Sequence, residues 1–221
     1  MTAKEEDILT SPSLLKKNLT IERLLRSVIL NKNINPQDLL SGDRNAILIA
    51  ARKTGYGADY NVTVNCPSCY TPNEWGTDLD EIACMHGGVE SADGYDVEDN
   101  NDGTFNITLP KCKVTVTAKL LTGIDEKEVT IAAQKRKKHK LDENNLTEQL
   151  RAMIVAVNGS SNHRDLESFI NFVPAFDSKY LRNAYSKIMP NVDMKSEFEC
   201  SACTWVGDLE VPLTAEFFWP K

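Results

Sequence analysis

The sequence predicts an α+β fold: a single helix-rich domain with antiparallel strands and a zinc-ribbon clasp split across the chain. Three observations carry that prediction. Apolar residues recur at i, i+3, i+4 and i+7, as in Ile21, Leu24, Leu25 and Val28, which is the spacing of one helix face. Elsewhere they alternate with polar ones, as in Tyr60, Val62 and Val64, the spacing of a half-buried strand. Finally, two Cys-x-x-Cys pairs, Cys66-Pro67-Ser68-Cys69 and Cys200-Ser201-Ala202-Cys203, stand far apart, and each follows an alternating stretch. A two-residue spacer lets one tight turn aim both sulfurs at the same ion, so two pairs suit a closed, four-thiolate Zn²⁺ site. Cys66, Cys69, Cys200 and Cys203 are therefore the expected ligands of a structural zinc. A site with all four positions filled ties the chain together and leaves no place for a substrate, which argues against a catalyst.

Length and composition bound the rest. A chain of 221 residues buries about 70 to 75% of the surface its unfolded form exposes, enough for a sizeable core. Its 25 basic and 32 acidic residues give a net charge of −7, which favours solubility and offers no overall attraction to nucleic acid or anionic membranes. Neither a secretory leader nor a membrane-spanning apolar run is present in the sequence, so synthesis in a reducing cytoplasm is expected. There, paired cysteines favour metal over disulfides.

Residues 1–15 carry Lys4, Glu5, Glu6 and Asp7 without apolar rhythm and read as a flexible tail, leaving 16–221 as the domain. Behind Thr20 as N-cap comes the first helix face, and Asn35-Pro36 opens a short second helix. A third helix is predicted from Asp43 to Gly55. After Gly57 the period changes to two, and the strand through Tyr60, Val62 and Val64 feeds the first Cys pair, in which Pro67 sets the turn. The ribbon halves fall at 60–75 and 194–218.

Between Gly87 and Gly103 stand six acidic residues and no Lys or Arg. Glu98-x-Asn100-x-Asp102-Gly103 imitates a calcium loop, but its twelfth position is Leu109 in place of a bidentate Glu, so a hairpin turn around Asn101-Asp102-Gly103 is the favoured reading. Cys112 shares a parity with Val114, Val116, Ala118 and Leu120 and reads as a core residue of a strand. Cys84 and His86 could donate to a second metal site, but two ligands alone read as incidental. His139 and His163 have no nucleophile at a recognisable spacing.

A helix from Asp125 runs into the basic stretch Lys135 to Lys140, which reads as a solvated helix end complementing the dipole, without aromatic residues to stack bases. Leu146, Leu150, Met153, Ile154 and Val157 predict another helix face ending at Asn158-Gly159. Two more helices follow, over Leu166 to Ile170 and over Leu181 to Ile188, the second capped by Asp177 or Ser178 and closed by Pro190. A strand from Met194 to Glu199 precedes the second Cys pair, and alternation from Leu209 to Trp219 predicts a last strand bent or edged by Pro212. Phe217, Phe218, Trp219 and Pro220 form an aromatic end that, turned outward, is a candidate partner anchor, set against the reading in which it folds onto the chain's own core.

Several segments stand out together: Ser41-Gly42-Asp43-Arg44-Asn45-Ala46-Ile47-Leu48-Ile49-Ala50-Ala51-Arg52 with Gly55-Tyr56-Gly57, the two Cys pairs, Leu120-Leu121-Thr122-Gly123, Asp177-Ser178-Lys179-Tyr180-Leu181-Arg182 and the closing Phe217-Phe218-Trp219-Pro220. In these segments the sequence resembles the baseplate hub and assembly protein family of T-even-like, contractile-tailed bacteriophages. The sequence departs where such turns usually place Gly after the second Cys, having Tyr70 and Thr204. The resemblance implies a structural or assembly component of the tail baseplate, located in the virion after synthesis in the host cytoplasm. It implies partners among other baseplate or tail proteins, action by protein contacts without turnover, and no small-molecule substrate. Two rival readings are a transient assembly chaperone and a nucleic-acid-binding zinc ribbon using the basic stretch, which the chain's negative charge disfavours.

Overall fold

The computed structural model describes residues 1–16, 19–138, 145–211 and 215–218. Helices α1 (Ala3–Thr10), α2 (Pro12–Lys16), α3 (Thr20–Val28) and α4 (Ser41–Tyr56) lead the chain. Strands β1 (Asp59–Asn65), β2 (Pro72–Asp78), β3 (Cys84–Met85), β4 (Val97–Asp99), β5 (Thr104–Thr108) and β6 (Thr115–Lys119) follow. Next come α5 (Gly123–Lys138), α6 (Asn145–Met153), β7 (Ile154–Val157), α7 (His163–Phe172) and α8 (Ala175–Ile188). Strands β8 (Asn191–Val192), β9 (Lys195–Glu199) and β10 (Val206–Glu210) close the order, with a 3₁₀ turn at Ala215–Phe218. Among the described residues all strand pairings are antiparallel, so the α+β class holds.

Contacts gather the chain into two compact units. The first comprises Met1–Pro36, Gly42–Met85 and Asn191–Lys221, and the second comprises Gln37–Ser41 and His86–Pro190.

The first unit holds three two-stranded pairs, β1–β2, β9–β10 and β3–β8. Its core joins Leu9, Leu24, Leu25, Leu48 and Ile49 from the helices to Tyr60, Trp75, Phe198, Phe217 and Phe218. The expected N-terminal tail is instead helical. A Thr2-x-x-Glu5 capping box starts α1, with the Thr2 N–H donating to Glu5 Oε2 at 2.8 Å, and Leu9 is buried two turns on. Asn35-Pro36 forms turns in place of a short helix.

The second unit is built on the four-stranded sheet β4-β5-β6-β7. Ile107, Val116 and Ala118 of the sheet pack with Leu150, Leu181, Ala184 and Ile188 of α6 and α8, all fully or nearly fully buried. The hairpin turn predicted around Asn101-Asp102-Gly103 joins β4 to β5, with Asn101 at φ 59° and Gly103 at φ 86°. Leu109 is buried and cannot complete a cation loop. The predicted helix through Val157 stops at Met153, because Ile154-Val155-Ala156-Val157 pairs with β6 across a bulge at Thr117/Ala118. β-branched residues favour that pairing, and the sheet edge supplies it. Likewise β6 begins at Thr115, and Cys112 lies half-buried in the preceding turn.

Helix α8 starts at Ala175, so Asp177 sits in its first turn and its buried carboxylate accepts the N–H groups of Lys111 (3.0 Å) and Cys112 (2.8 Å). Gly87, at φ 70°, is needed as glycine, since a Cβ there would stand 2.4 Å from the Ile188 carbonyl. No helix among the described residues is long and apolar enough to cross a membrane.

Candidate metal centre

Each Cys pair occupies the turn of a β-hairpin. In the first, β1 pairs with β2 up to Asn65 opposite Pro72, and the turn closes by Cys66 N–H to Thr71 O (3.0 Å) and Tyr70 N–H to Cys66 O (2.9 Å). Tyr70 takes φ 59°, the left-handed conformation that the expected Gly would adopt without strain. In the second, Glu199 stands opposite Val206 and the Cys200 N–H donates to Trp205 O at 3.0 Å. Alternation decides which faces meet: Trp75 Nε1 donates to Glu197 O (2.9 Å), the Thr77 and Ser196 hydroxyls bond at 2.9 Å, and Trp75 meets Phe198 edge-on.

The packing of the hairpins brings the four sulfurs together, all within 4.8 Å of one another. Cys66 Sγ lies 3.8 Å from Cys203 Sγ, and Cys69 Sγ lies 3.6 Å from Cys200 Sγ. A tetrahedron with metal–sulfur bonds of about 2.3 Å has edges of about 3.8 Å, so the residues present fit a metal ion bound by four thiolates. Cys66 and Cys200 are buried, Cys203 half-buried and Cys69 exposed. Amide donors face the sulfurs, with Ser68 N–H 3.4 Å from Cys66 Sγ and Ala202 N–H 3.4 Å from Cys200 Sγ.

The thiols of the cluster are electrostatically unequal. The Thr71 hydroxyl and backbone N–H draw the Cys69 thiol down to about 6. Burial opposes ionisation of Cys200, but the N–H groups of Ala202 and Cys203 carry it below the ordinary thiol value. At Cys203 the Trp205 N–H favours the thiolate, yet burial and the three neighbouring sulfurs prevail and push it up to about 12. Mutual repulsion of this kind is what a divalent ion relieves.

The structure thus assembles all four cysteines named from the sequence. Of the two readings of the aromatic end, Phe217 and Phe218 follow the inward one and do not form an outward anchor: both are fully buried in a 3₁₀ segment after β10, with the Phe217 ring tilted against Tyr60 (5.0 Å) and edge-on to Phe218 (5.3 Å). Trp219 and Pro220 lie outside the described residues, as does His139. Cys84, His86 and His163 are exposed, and among the described residues the four cysteines are the one group of ligand side chains close enough for a metal. Burial and then the neighbouring Asp177 carboxylate push the Cys112 thiol up, so it is held protonated.

Sequence reasoning passed over two residues. Arg52, 1% exposed, donates to three backbone carbonyls, Phe217 (3.1 Å), Gly57 (2.7 Å) and Asp59 (3.0 Å), and so ties the C-terminal turn to α4 and β1. Its signal was its place four residues after Leu48 on the buried stripe of α4. Asn73, 5% exposed, shares the inward parity of Trp75 and Thr77.

No curated protein and no solved structure matches this chain. The family model described as T4 bacteriophage base plate protein matches residues 1–219, nearly the entire sequence. The chain belongs to that family.

Proposed function

We propose that this chain is a structural or assembly component of a contractile-tailed phage base plate that acts through protein contacts, without turnover, and is held together by structural zinc. The observation that carries the reading is the meeting of four sulfurs, within 4.8 Å, from two distant segments of a base plate family member. Zinc bound there would supply a closed, redox-inert cross-link. Cys66 and Cys69 would hold it from the β1–β2 turn and Cys200 and Cys203 from the β9–β10 turn, with the surrounding amides orienting the sulfurs.

The contact mode is supported by aromatic side chains that the fold leaves outside, Phe172 at 83%, Tyr70 at 78% and Phe176 at 63% exposure. Large exposed aromatics of this kind are typical anchors at protein interfaces. Partners would be other base plate or tail proteins, and the chain's site would be the virion tail after synthesis in the host cytoplasm.

Metal analysis with X-ray absorption on the purified chain tests the zinc, with one ion and four sulfur neighbours expected. Absence of zinc, or nitrogen or oxygen ligands, would end that part of the reading. Mass spectrometry of purified virions tests residence: the chain is expected among particle proteins, and its presence only in unfinished tails would identify a chaperone that leaves.

A further inference from the structure

We infer that Asn73 couples the two Cys turns into one site and sets how tightly the metal is held. The inference rests on the metal reading above and concerns a residue outside the ligand set. Asn73 lies four positions beyond Cys69, at the start of β2, and is almost completely buried. Its carboxamide is used at both ends. Nδ2 donates to Thr71 O at 2.8 Å within the first turn and reaches Cys200 Sγ at 3.6 Å in the second. Oδ1 accepts from the Ser201 N–H at 2.8 Å and from the Ser201 hydroxyl at 2.6 Å. One buried side chain therefore fixes the backbone of the second turn to the first hairpin and points a donor at a ligand sulfur.

The physical consequence follows from charge. Four thiolates around a divalent ion leave the site net negative, and N–H groups aimed at the sulfurs spread that charge. Cys200, buried, receives Asn73 Nδ2 in addition to the backbone N–H donors of its own turn, such as that of Ala202. The second hairpin cannot return the favour. The position equivalent to Asn73, four residues after Cys203, is Gly207, where even a Cβ would meet the Trp205 ring at 2.9 Å. The coupling is thus one-sided: the first hairpin carries the carboxamide, and the second receives it at Cys200 and Ser201.

Two variants of the full chain separate the carboxamide's roles. Asn73→Asp keeps an oxygen to accept from Ser201 but removes the donor to Cys200 and sets a negative charge beside it. Asn73→Ala removes both ends. Co²⁺ is the probe, because its sulfur charge-transfer absorption reports thiolate ligation, and competition with a chelator gives affinity. The wild-type chain is expected to bind one Co²⁺ with a four-thiolate spectrum. Asn73→Asp should bind it at least about tenfold more weakly, within the 10- to 100-fold range of outer-shell partners, while its far-UV circular dichroism at saturating Co²⁺ matches wild type. Asn73→Ala should be weaker still and lose hydrogen-exchange protection at the Ser201 amide. Wild-type affinity in Asn73→Asp would overturn the inference, even if the alanine variant fails to fold. A wild-type chain that binds no Co²⁺ would instead overturn the metal reading itself.

Discussion

The two units of this chain solve the problem of holding strands together in different ways. The second has a four-stranded sheet whose inner residues, Ile107, Val116 and Ala118, are covered by α6 and α8. A sheet of that size with a helical cover is stable by apolar burial. Among the described residues the first has two-stranded pairs only, and a lone hairpin is marginal in water. Two of its pairs, β1–β2 and β9–β10, meet through Trp75 and Phe198, and their turns bring four sulfurs together. The difference teaches that four sulfurs able to hold a metal meet where the strands form pairs and not where they form a larger sheet.

The sharpest way to break this comparison is Cys200→Ser. Metal content and stability of the first unit should fall together, by several kcal/mol given the roughly 10 to 16 kcal/mol of structural zinc sites. Hydrogen exchange should rise in β1, β2, β9 and β10 and stay slow in β4 to β7. Full metal occupancy with unchanged melting would remove the distinction, and equal loss of protection in both units would show that they unfold as one. The converse variant is Ile107→Ala, at a fully buried position of the second unit. It should cost about 2 to 5 kcal/mol there and leave the metal content intact.

A smaller effect tests the N-terminal helix of the first unit. Glu5 accepts from the Ser27 hydroxyl at 2.6 Å and from Thr2, which hold its carboxyl at about 2, far below its ordinary 4.5. A group with a depressed folded value stabilises fully above its unfolded value and loses that contribution as pH falls toward the folded one. The stability difference between wild type and Glu5→Gln should therefore be full above about pH 4.5 and shrink between there and about pH 2. A difference that stays constant over that window, in paired thermal melts, would dissociate Glu5 from the effect.

The smallest change is a gain. Tyr70→Gly relieves a left-handed tyrosine whose side chain is mostly exposed and should add up to about 1 kcal/mol. If Tyr70 anchors a partner, the same variant weakens incorporation into base plates, measured by its recovery in assembled particles.

Much of the local structure was legible in advance because it is local. Period-two stretches gave β1 and β9, Asn101-Asp102-Gly103 gave the β4–β5 turn, and Asp43 to Gly55 gave most of α4. The Cys-x-x-Cys spacing alone identified the four residues that the fold brings together. Where the reading failed, a partner distant in sequence had the deciding vote. Ile154 to Val157 continue a helical apolar pattern, but an open edge at β6 pairs them as a strand. The first ten residues lack a strong rhythm, yet Ser27 and the Leu24–Leu25 core hold Glu5 and Leu9. Phe217 shares the apolar parity of the closing stretch and Phe218 falls on its polar face, but a 3₁₀ turn buries both rings, and the Phe217 carbonyl accepts from the distant Arg52. The sequence by itself thus determined the four cysteines, the helix and strand periods and the turn chemistry, since these depend on neighbours within a few residues. Only the tertiary structure decided which polar side chains are buried as ties, Arg52 and Asn73 among them, because a buried donor is defined by the distant acceptors it satisfies.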